Sequence, residues 1–477
     1  MHHYQRILIV LSFLFVGITT FSFSQNHYYN SLQYGGRGAL LGGAMLADTT
    51  DKSTIYYNPA ATVHLGGTGV TISSNLYGYG SLRIKDGAGE DIDLLSSKVN
   101  IFPQLIAGEI PLSASKDVFI GYTLLTKHDN NIVLNSRNTF EASAVGDGFD
   151  TTAIASFEFD EDLFEQWIGL GVGLRVNEHW SVGLTAFATY RQHAFSSRSY
   201  VRVIEFAEPT NIGTADISQQ VESNTLGFLW KFGLQWHKPH FSMGLTLTTP
   251  KLSVDTFADK GVIDREFFAL NLDELIGEDD LILSDRQQGV KTTHRRPMEL
   301  GLGAQYELQK TKLYLSIQHH FKQKAYQLLD TEQTDGDITG ELAVDQFVEV
   351  KDASSSVTNV NVGVEHQLNK WALLGSFRTN FSAYEDIPTE EENNLLVTPG
   401  IGKFNTYYLT FGLGRYRKQS STHFGIEYGR SFNKIPRFAG DLTTLESALS
   451  NITETDVSVN FFQLNLIVGY THYIGRD

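Results

Sequence analysis

Residues 166–176 read Gln166-Trp167-Ile168-Gly169-Leu170-Gly171-Val172-Gly173-Leu174-Arg175-Val176. Ile168, Leu170, Val172, Leu174 and Val176 fall on one face of a strand, and Trp167, Gly169, Gly171, Gly173 and Arg175 on the other, because successive side chains point to opposite sides. A short turn, Asn177-Glu178-His179, follows. Trp180, Val182, Leu184, Ala186, Ala188 and Tyr190 then resume the apolar face. In water such a face lines a core. In a membrane barrel it meets lipid, and the small or polar face meets the lumen.

The same unit repeats from about residue 68 to the end. Fourteen strands are predicted, at 68–82, 99–110, 117–140, 164–176, 180–193, 225–236, 241–251, 297–308, 312–324, 357–368, 371–383, 404–417, 422–432 and 459–473. The connections alternate strictly. Short ones lie at 111–116, 177–179, 237–240, 309–311, 369–370 and 418–421. Long ones lie at 83–98, 141–163, 194–224, 252–296, 325–356, 384–403 and 433–458. Short turns on the periplasmic side and long loops outside are the rhythm of an outer-membrane barrel. A soluble sandwich has no reason to segregate lengths this way. Aromatic residues gather at segment ends, among them Trp180, Trp236, Phe241, Trp371, Tyr407, Tyr408, Phe461, Phe462, Tyr470 and Tyr473, as interfacial girdles require.

The N-terminus supports export. Arg6, an apolar stretch at 7–18 and Ser22-Phe23-Ser24 form a signal-peptide pattern with cleavage after Ser24. The stretch is too short to span a bilayer as a helix, which takes roughly 20 residues. Every later apolar run is interrupted, so an exported membrane protein of this sequence must be a β-barrel. Composition agrees, with 43 Gly, 31 Phe and 21 Tyr against 10 Pro. The net charge of −17 argues against nucleic acid as a partner. There is no cysteine and hence no disulfide framework.

Residues 25–67 break the alternation. They contain a Gly/Ala-rich run from Tyr34 to Ala44, then Asp48, Asp51 and Ser53, then Asn58-Pro59-Ala60. Small residues at this density allow close backbone packing, and proline fixes the final turn. The stretch reads as a compact segment with short helices. The organisation is therefore a signal peptide at 1–24, a plug at 25–67 and a barrel at 68–477. The fold class is all-β, a fourteen-stranded antiparallel transmembrane β-barrel with an N-terminal plug.

The Gly/Ala run leading through Asp48 and Ser53 to Asn58-Pro59-Ala60, followed by fourteen strands, resembles the FadL/TodX family of outer-membrane transporters of long-chain fatty acids and other hydrophobic compounds. The resemblance covers the mature chain, and its specific part is the Asn-Pro-Ala region. It departs from the usual pattern by trailing Ile474-Gly475-Arg476-Asp477 after the last strand. It implies a monomeric passive channel in the outer membrane. A hydrophobic ligand would be captured by the outer loops and released sideways past a hatch gated at Asn58, Pro59 and Ala60. No cofactor, metal or catalytic residue is implied.

The richest candidate for ligand capture is the loop 252–296, with Phe257, Phe267, Phe268, Leu270 and Leu275; the spacing of Phe267, Leu270 and Leu272 or Leu275 predicts an amphipathic helix there. The loop 194–224 is a second. Arg37 and Arg175 are predicted to face inward, toward a ligand carboxylate or balancing acids. A barrel partner protein of a secretion system is the alternative function, and a barrel enzyme lacks a visible Ser/His constellation. His319 and His320 point to opposite faces and cannot jointly chelate a metal, and His237 and His240 belong to an exposed turn. The acidic runs at 160–162 and 278–280 lack the spacing of a Ca²⁺ loop, and Gly36, Gly38 and Gly42 lack the strand–helix frame of a dinucleotide loop.

Overall fold

The computed structural model describes residues 27–65, 68–110, 117–143, 150–205, 212–254, 260–271, 280–332, 348–385, 404–437, 439–450 and 456–474. The signal peptide predicted at 1–24 lies outside them.

The wall begins with β1 (Thr68–Lys85), β2 (Leu94–Ile110), β3 (Val118–Ser143), β4 (Asp150–Arg175), β5 (Trp180–Glu205), β6 (Ile212–Lys238) and β7 (Phe241–Thr248). After the short β8 (Leu252–Ser253) come β9 (Lys260–Leu270) and β10 (Leu281–Lys291), which form a hairpin. The wall resumes with β11 (Glu299–Leu308), pairing with β7, and β12 (Thr311–His320). A small two-stranded sheet, β13 (Gln323–Gln327) and β14 (Lys351–Ser354), precedes β15 (Val357–Leu368). The ring ends with β16 (Trp371–Asn380), β17 (Thr406–Tyr416), β18 (Ser420–Pro436) and β19 (Asp456–Ile474). β19 pairs with β1 from Thr68↔Ile474 to Lys85↔Ser458. Without β8–β10 and β13–β14 this is a closed antiparallel barrel of 14 strands, the predicted fold class.

The oily face points outward. Ile168 and Leu170 are 60% and 62% exposed, and Phe411 is 68% exposed, while Trp167, next to Ile168 on the opposite face, is buried at 1%. A water-soluble protein does not display a continuous band of this kind, whereas lipid accepts it. Two aromatic girdles bound it. At the short-turn end, the ring pairs Trp180–Trp236, Trp236–Phe241 and Phe241–Tyr306 run as a ribbon with centroids 5.8–6.5 Å apart. At the other end Tyr79, Phe462 and Tyr428 continue the belt.

The expected loops at 141–163 and 194–224 are a correction, because most of each is strand. β3, β4 and β5 have 26 residues each and β6 has 27, far beyond the 9–11 that cross a bilayer. The reason lies in β4. Its alternation never slips, but the apolar side changes. Between residues 168 and 174 the even-numbered side chains are apolar and face out. Between 157 and 160, Phe157 and Phe159 are buried inside while Glu158 and Asp160 face out. Where the strand leaves lipid for water, the hydrophobic effect rewards the opposite face. The inward residues of this projecting region make an apolar core, with Leu82, Leu134, Phe157, Phe159, Phe195 and Ile263 among its members.

The N-terminal segment forms α1 (Gly36–Leu40), α2 (Thr54–Tyr57) and a 3₁₀ helix (Pro59–His64), as the loss of alternation predicts. It packs against the inward face of the wall. Tyr34, Leu40, Leu41, Met45 and Leu46 are among the most completely buried side chains of the protein.

Candidate functional site

Asn58, Pro59 and Ala60 sit in a slot of glycines. The Asn58 Nδ2 donates to the Leu46 carbonyl and to Gln235 Oε1, both at 2.8 Å. Its Oδ1 accepts from the Ala60 amide at 3.1 Å and so caps the 3₁₀ helix. A Cβ at Gly244 would lie 1.8 Å from the Leu46 oxygen, and one at Gly233 would lie 2.2 Å from Asn58 Oδ1. At Gly183 it would meet the Pro59 carbonyl carbon at 2.4 Å. Only glycine lets the wall approach this closely. The wall side chains complete the grip. Ser181 Oγ donates to the Ala60 carbonyl at 2.7 Å, and Gln235 Nε2 to the Ala47 carbonyl at 3.0 Å.

Arg37 is buried and already compensated. Its guanidinium pairs with Asp48 at 2.8 Å and Glu365 at 2.7 Å and donates to the Tyr314 hydroxyl. Of its two predicted roles, the structure supports the balancing-acid one. Arg175 donates to the Val63 carbonyl at 2.7 Å, anchoring the far end of the 3₁₀ helix. His64, also there, has its ring centroid 4.8 Å from that of His237. Burial, then His237 and Arg175, hold the His64 pKa down at about 4. His237 is thus half-buried and not the exposed turn residue expected, while His240 is exposed. His319 and His320 do face opposite ways, with only His320 buried.

Above the segment runs a belt of buried charge that the sequence did not single out. Lys127 donates to the Tyr56 hydroxyl at 3.0 Å and the Tyr29 carbonyl at 3.1 Å. Lys231 pairs with Glu299 at 3.4 Å, and Trp167 Nε1 donates to Glu165 at 2.6 Å. The Arg296 guanidinium lies 4.7 Å from the Tyr29 ring centroid and 5.1 Å from that of Trp167. The available signal was a charged residue on the lumen parity of a wall strand.

The helix predicted around Phe267 is a second correction. Phe267, Phe268 and Leu270 belong to strand β9, which continues the wall above β7 by pairing with β6, Ile217↔Phe267. Phe267 is buried in the outer core, whereas Phe268 and Leu270 are half-buried. A tall neighbour such as β6 leaves its backbone groups unpaired beyond the end of β7, and a strand satisfies them where a helix would not. Phe257 and Leu275 lie outside the described residues.

The wall has one long break. β2 pairs with β3 only from Leu105↔Leu125 to Ile110↔Ile120. Above that, β2 stays paired to β1 from Pro103 to Leu94, and residues 126–143 of β3 stay paired to β4. The two edges part, and the Val133 amide reaches across to Ser96 Oγ at 3.1 Å. Behind the break is a cavity of about 150 Å³ whose floor is Tyr28, Ser31 and Leu32 of the N-terminal segment.

The fold decides the comparison with solved structures. The chain has the fold of the FadL and TodX channels. A Pseudomonas aeruginosa FadL homologue superposes with a TM-score of 0.56, covering 94% of this chain and 99% of that one at 11% identity. The P. putida toluene transporter TodX gives 0.56 over 93% and 99% at 12% identity. The Ralstonia pickettii toluene transporter TbuX gives 0.55 over 92% and 98%, also at 12% identity. No protein-family model and no curated protein matches the sequence. The FadL/TodX likeness is therefore one of fold, and it extends over nearly the whole of each chain.

Proposed function

We propose that the chain is an outer-membrane passive channel for hydrophobic and amphipathic compounds, long-chain fatty acids included. The observation that carries the reading is the break between β2 and β3, which sets a lumen cavity beside an opening in a lipid-facing wall. An oily molecule crosses the polar outer surface of the membrane poorly, while the hydrocarbon beneath stabilises it by about 25 cal/mol per Å² of apolar surface. A side door delivers it there without passage through water.

In this reading residues 25–67 are the hatch, and Asn58, Pro59 and Ala60 are its latch. Phe268 and Leu270 form the described part of the collecting surface. Phe267 leaves that set because it packs into the outer core. The two toluene transporters named above support the reading through their shared fold. Proteoliposomes carrying the protein should take up oleate and toluene faster than empty liposomes, with linear, energy-independent kinetics. Uptake equal to that of empty liposomes for both compounds overturns the proposal.

One observation favours the secretion-partner alternative. The projecting end of the barrel is filled with apolar side chains, and the hatch is held by polar bonds. That reading requires the absence of flux for every small molecule, so the same experiment separates the two.

A further inference from the structure

The cavity behind the break has two unlike walls. One is aromatic. Tyr28 and Phe404 lie with ring centroids 5.3 Å apart, Phe404 and Phe461 lie 5.7 Å apart, and all three line the space. The other is made of primary amides, from Asn100, Asn130, Asn131, Asn380, Gln463 and Asn465. A hydrocarbon gains nothing from amides and leaves them unpaired on burial. Each amide offers both donors and acceptors, which is the requirement of a hydroxyl group.

The charges at the cavity already have partners. Lys98 lies 3.7 Å from Asp129, Glu161 pairs with His193 at 3.0 Å, and Lys127 serves Tyr29 and Tyr56. Asn380 donates to Ser31, Gln463 accepts from Tyr408 and Asn465 donates to Glu427, so the amides left to meet a ligand are chiefly those of Asn100, Asn130 and Asn131. Asn100 Oδ1 is buried without a hydrogen-bond partner among the described residues, an acceptor held ready at considerable cost. Gly78 and Gly80 point inward from β1 and keep the space free, and a Cβ at Gly80 would meet nothing within 4 Å. A cavity of about 150 Å³ is the size that admits one benzene-sized ring.

We propose that this cavity binds a neutral polyhydroxylated ring, a sugar-like group whose C–H face lies on the Tyr28–Phe404–Phe461 wall and whose hydroxyls meet the amides. The ring is either a free sugar or the head of an amphiphile whose tail leaves through the β2–β3 break. The break begins past Leu105, which pairs with Ser73, and rises to the girdle, where Tyr79 pairs with Val99, so a head group of the outer leaflet stands beside its upper part. The assignment deepens the channel reading and depends on it for the access route only.

The test is equilibrium dialysis of the full chain in lipid nanodiscs against four probes, namely hexyl glucoside, methyl glucoside, toluene and hexanoate. Hexyl glucoside is expected to bind saturably at one site. Methyl glucoside binding equally tightly identifies a free sugar as the source, and binding tenfold or more weakly identifies an amphiphile. Gly80→Trp fills the cavity from a position with open space and should abolish glucoside binding while the barrel still inserts. Asn100→Leu removes one acceptor and should weaken it about tenfold. Non-saturable glucoside binding, or binding unchanged in both variants, overturns the proposal. Toluene or hexanoate displacing the glucoside from a site lost in Gly80→Trp overturns it too, by assigning the cavity to an apolar ring or an anion. Flux through the unmodified protein is scored separately. Saturable glucoside binding without flux keeps the site and removes the channel, and flux without glucoside binding does the reverse.

Discussion

Asn58 holds two partners with one amide group, the backbone of its own segment and the wall at Gln235. Truncation to alanine removes both and the cap on Ala60, so Asn58→Ala is expected to weaken docking of the segment by about 1–3 kcal/mol. Limited proteolysis between residues 27 and 65 should speed up, and single-channel conductance should rise, with barrel insertion unchanged. His64 adds a pH dependence. Its pKa is held down at about 4, against 6.5 in an unfolded chain. The docked state therefore favours neutral imidazole, and its contribution is full above pH 6.5 and lost as pH falls toward 4. For a partly exposed side chain this amounts to about 1–2 kcal/mol. Proteolysis measured from pH 7.5 to 4.5 should show it, and His64→Gln should flatten the curve. Asn58 was legible in the sequence because it stands where alternation stops. Its partners were not, since Leu46 and Gln235 reach it only through the close approach at Gly233 and Gly244.

At the scale of the element, the lesson is the change of oily face within one strand. Periodicity in 166–176 was legible because glycine and aliphatics alternate cleanly. The stretch above it reads as loop because its outward positions, Glu158, Asp160 and Asp162, are acidic, and that polarity hides the inward Phe157 and Phe159. Paired substitutions test the boundary. Leu170→Arg puts a charge against lipid and is expected to cost about 2–4 kcal/mol in equilibrium unfolding from bilayers. Asp160→Arg, on the same face of the same strand but in water, should change stability by less than about 0.5 kcal/mol. Equal costs would place lipid at both positions and refute the inversion. The failed helix at 267–270 has the same origin, since a strand beyond the membrane buries one face and exposes the other at a period that short windows confuse with helical spacing.

For the whole molecule, the segregation of short and long connections was enough to read a barrel, because turn lengths depend on which side of a membrane they occupy. The break between β2 and β3 was not readable. It is a matter of which strands pair and how far, and both strands look regular in isolation. Its proposed role as the exit predicts that closing it stops transport. Ser96→Cys with Val133→Cys joins the two edges where a hydrogen bond already bridges them. Oxidation should lower oleate flux several-fold, and a reductant should restore it. Flux that is indifferent to the cross-link would move the exit elsewhere.

The partners of the N-terminal segment are spread along the chain. His27 meets Asp352, Asn30 meets Asn361, and Arg37 meets Glu365, at sequence separations of 325, 331 and 328. The N-terminal segment therefore completes these contacts only after the chain as far as Glu365 has arrived. Such distant pairings slow folding, because chain entropy is lost long before contacts offset it. During biogenesis there must be an interval in which the cylinder is forming and its proposed stopper is still loose. Permeability of the envelope in that interval depends on how quickly a glycine-lined seat captures a peptide tethered at its own edge.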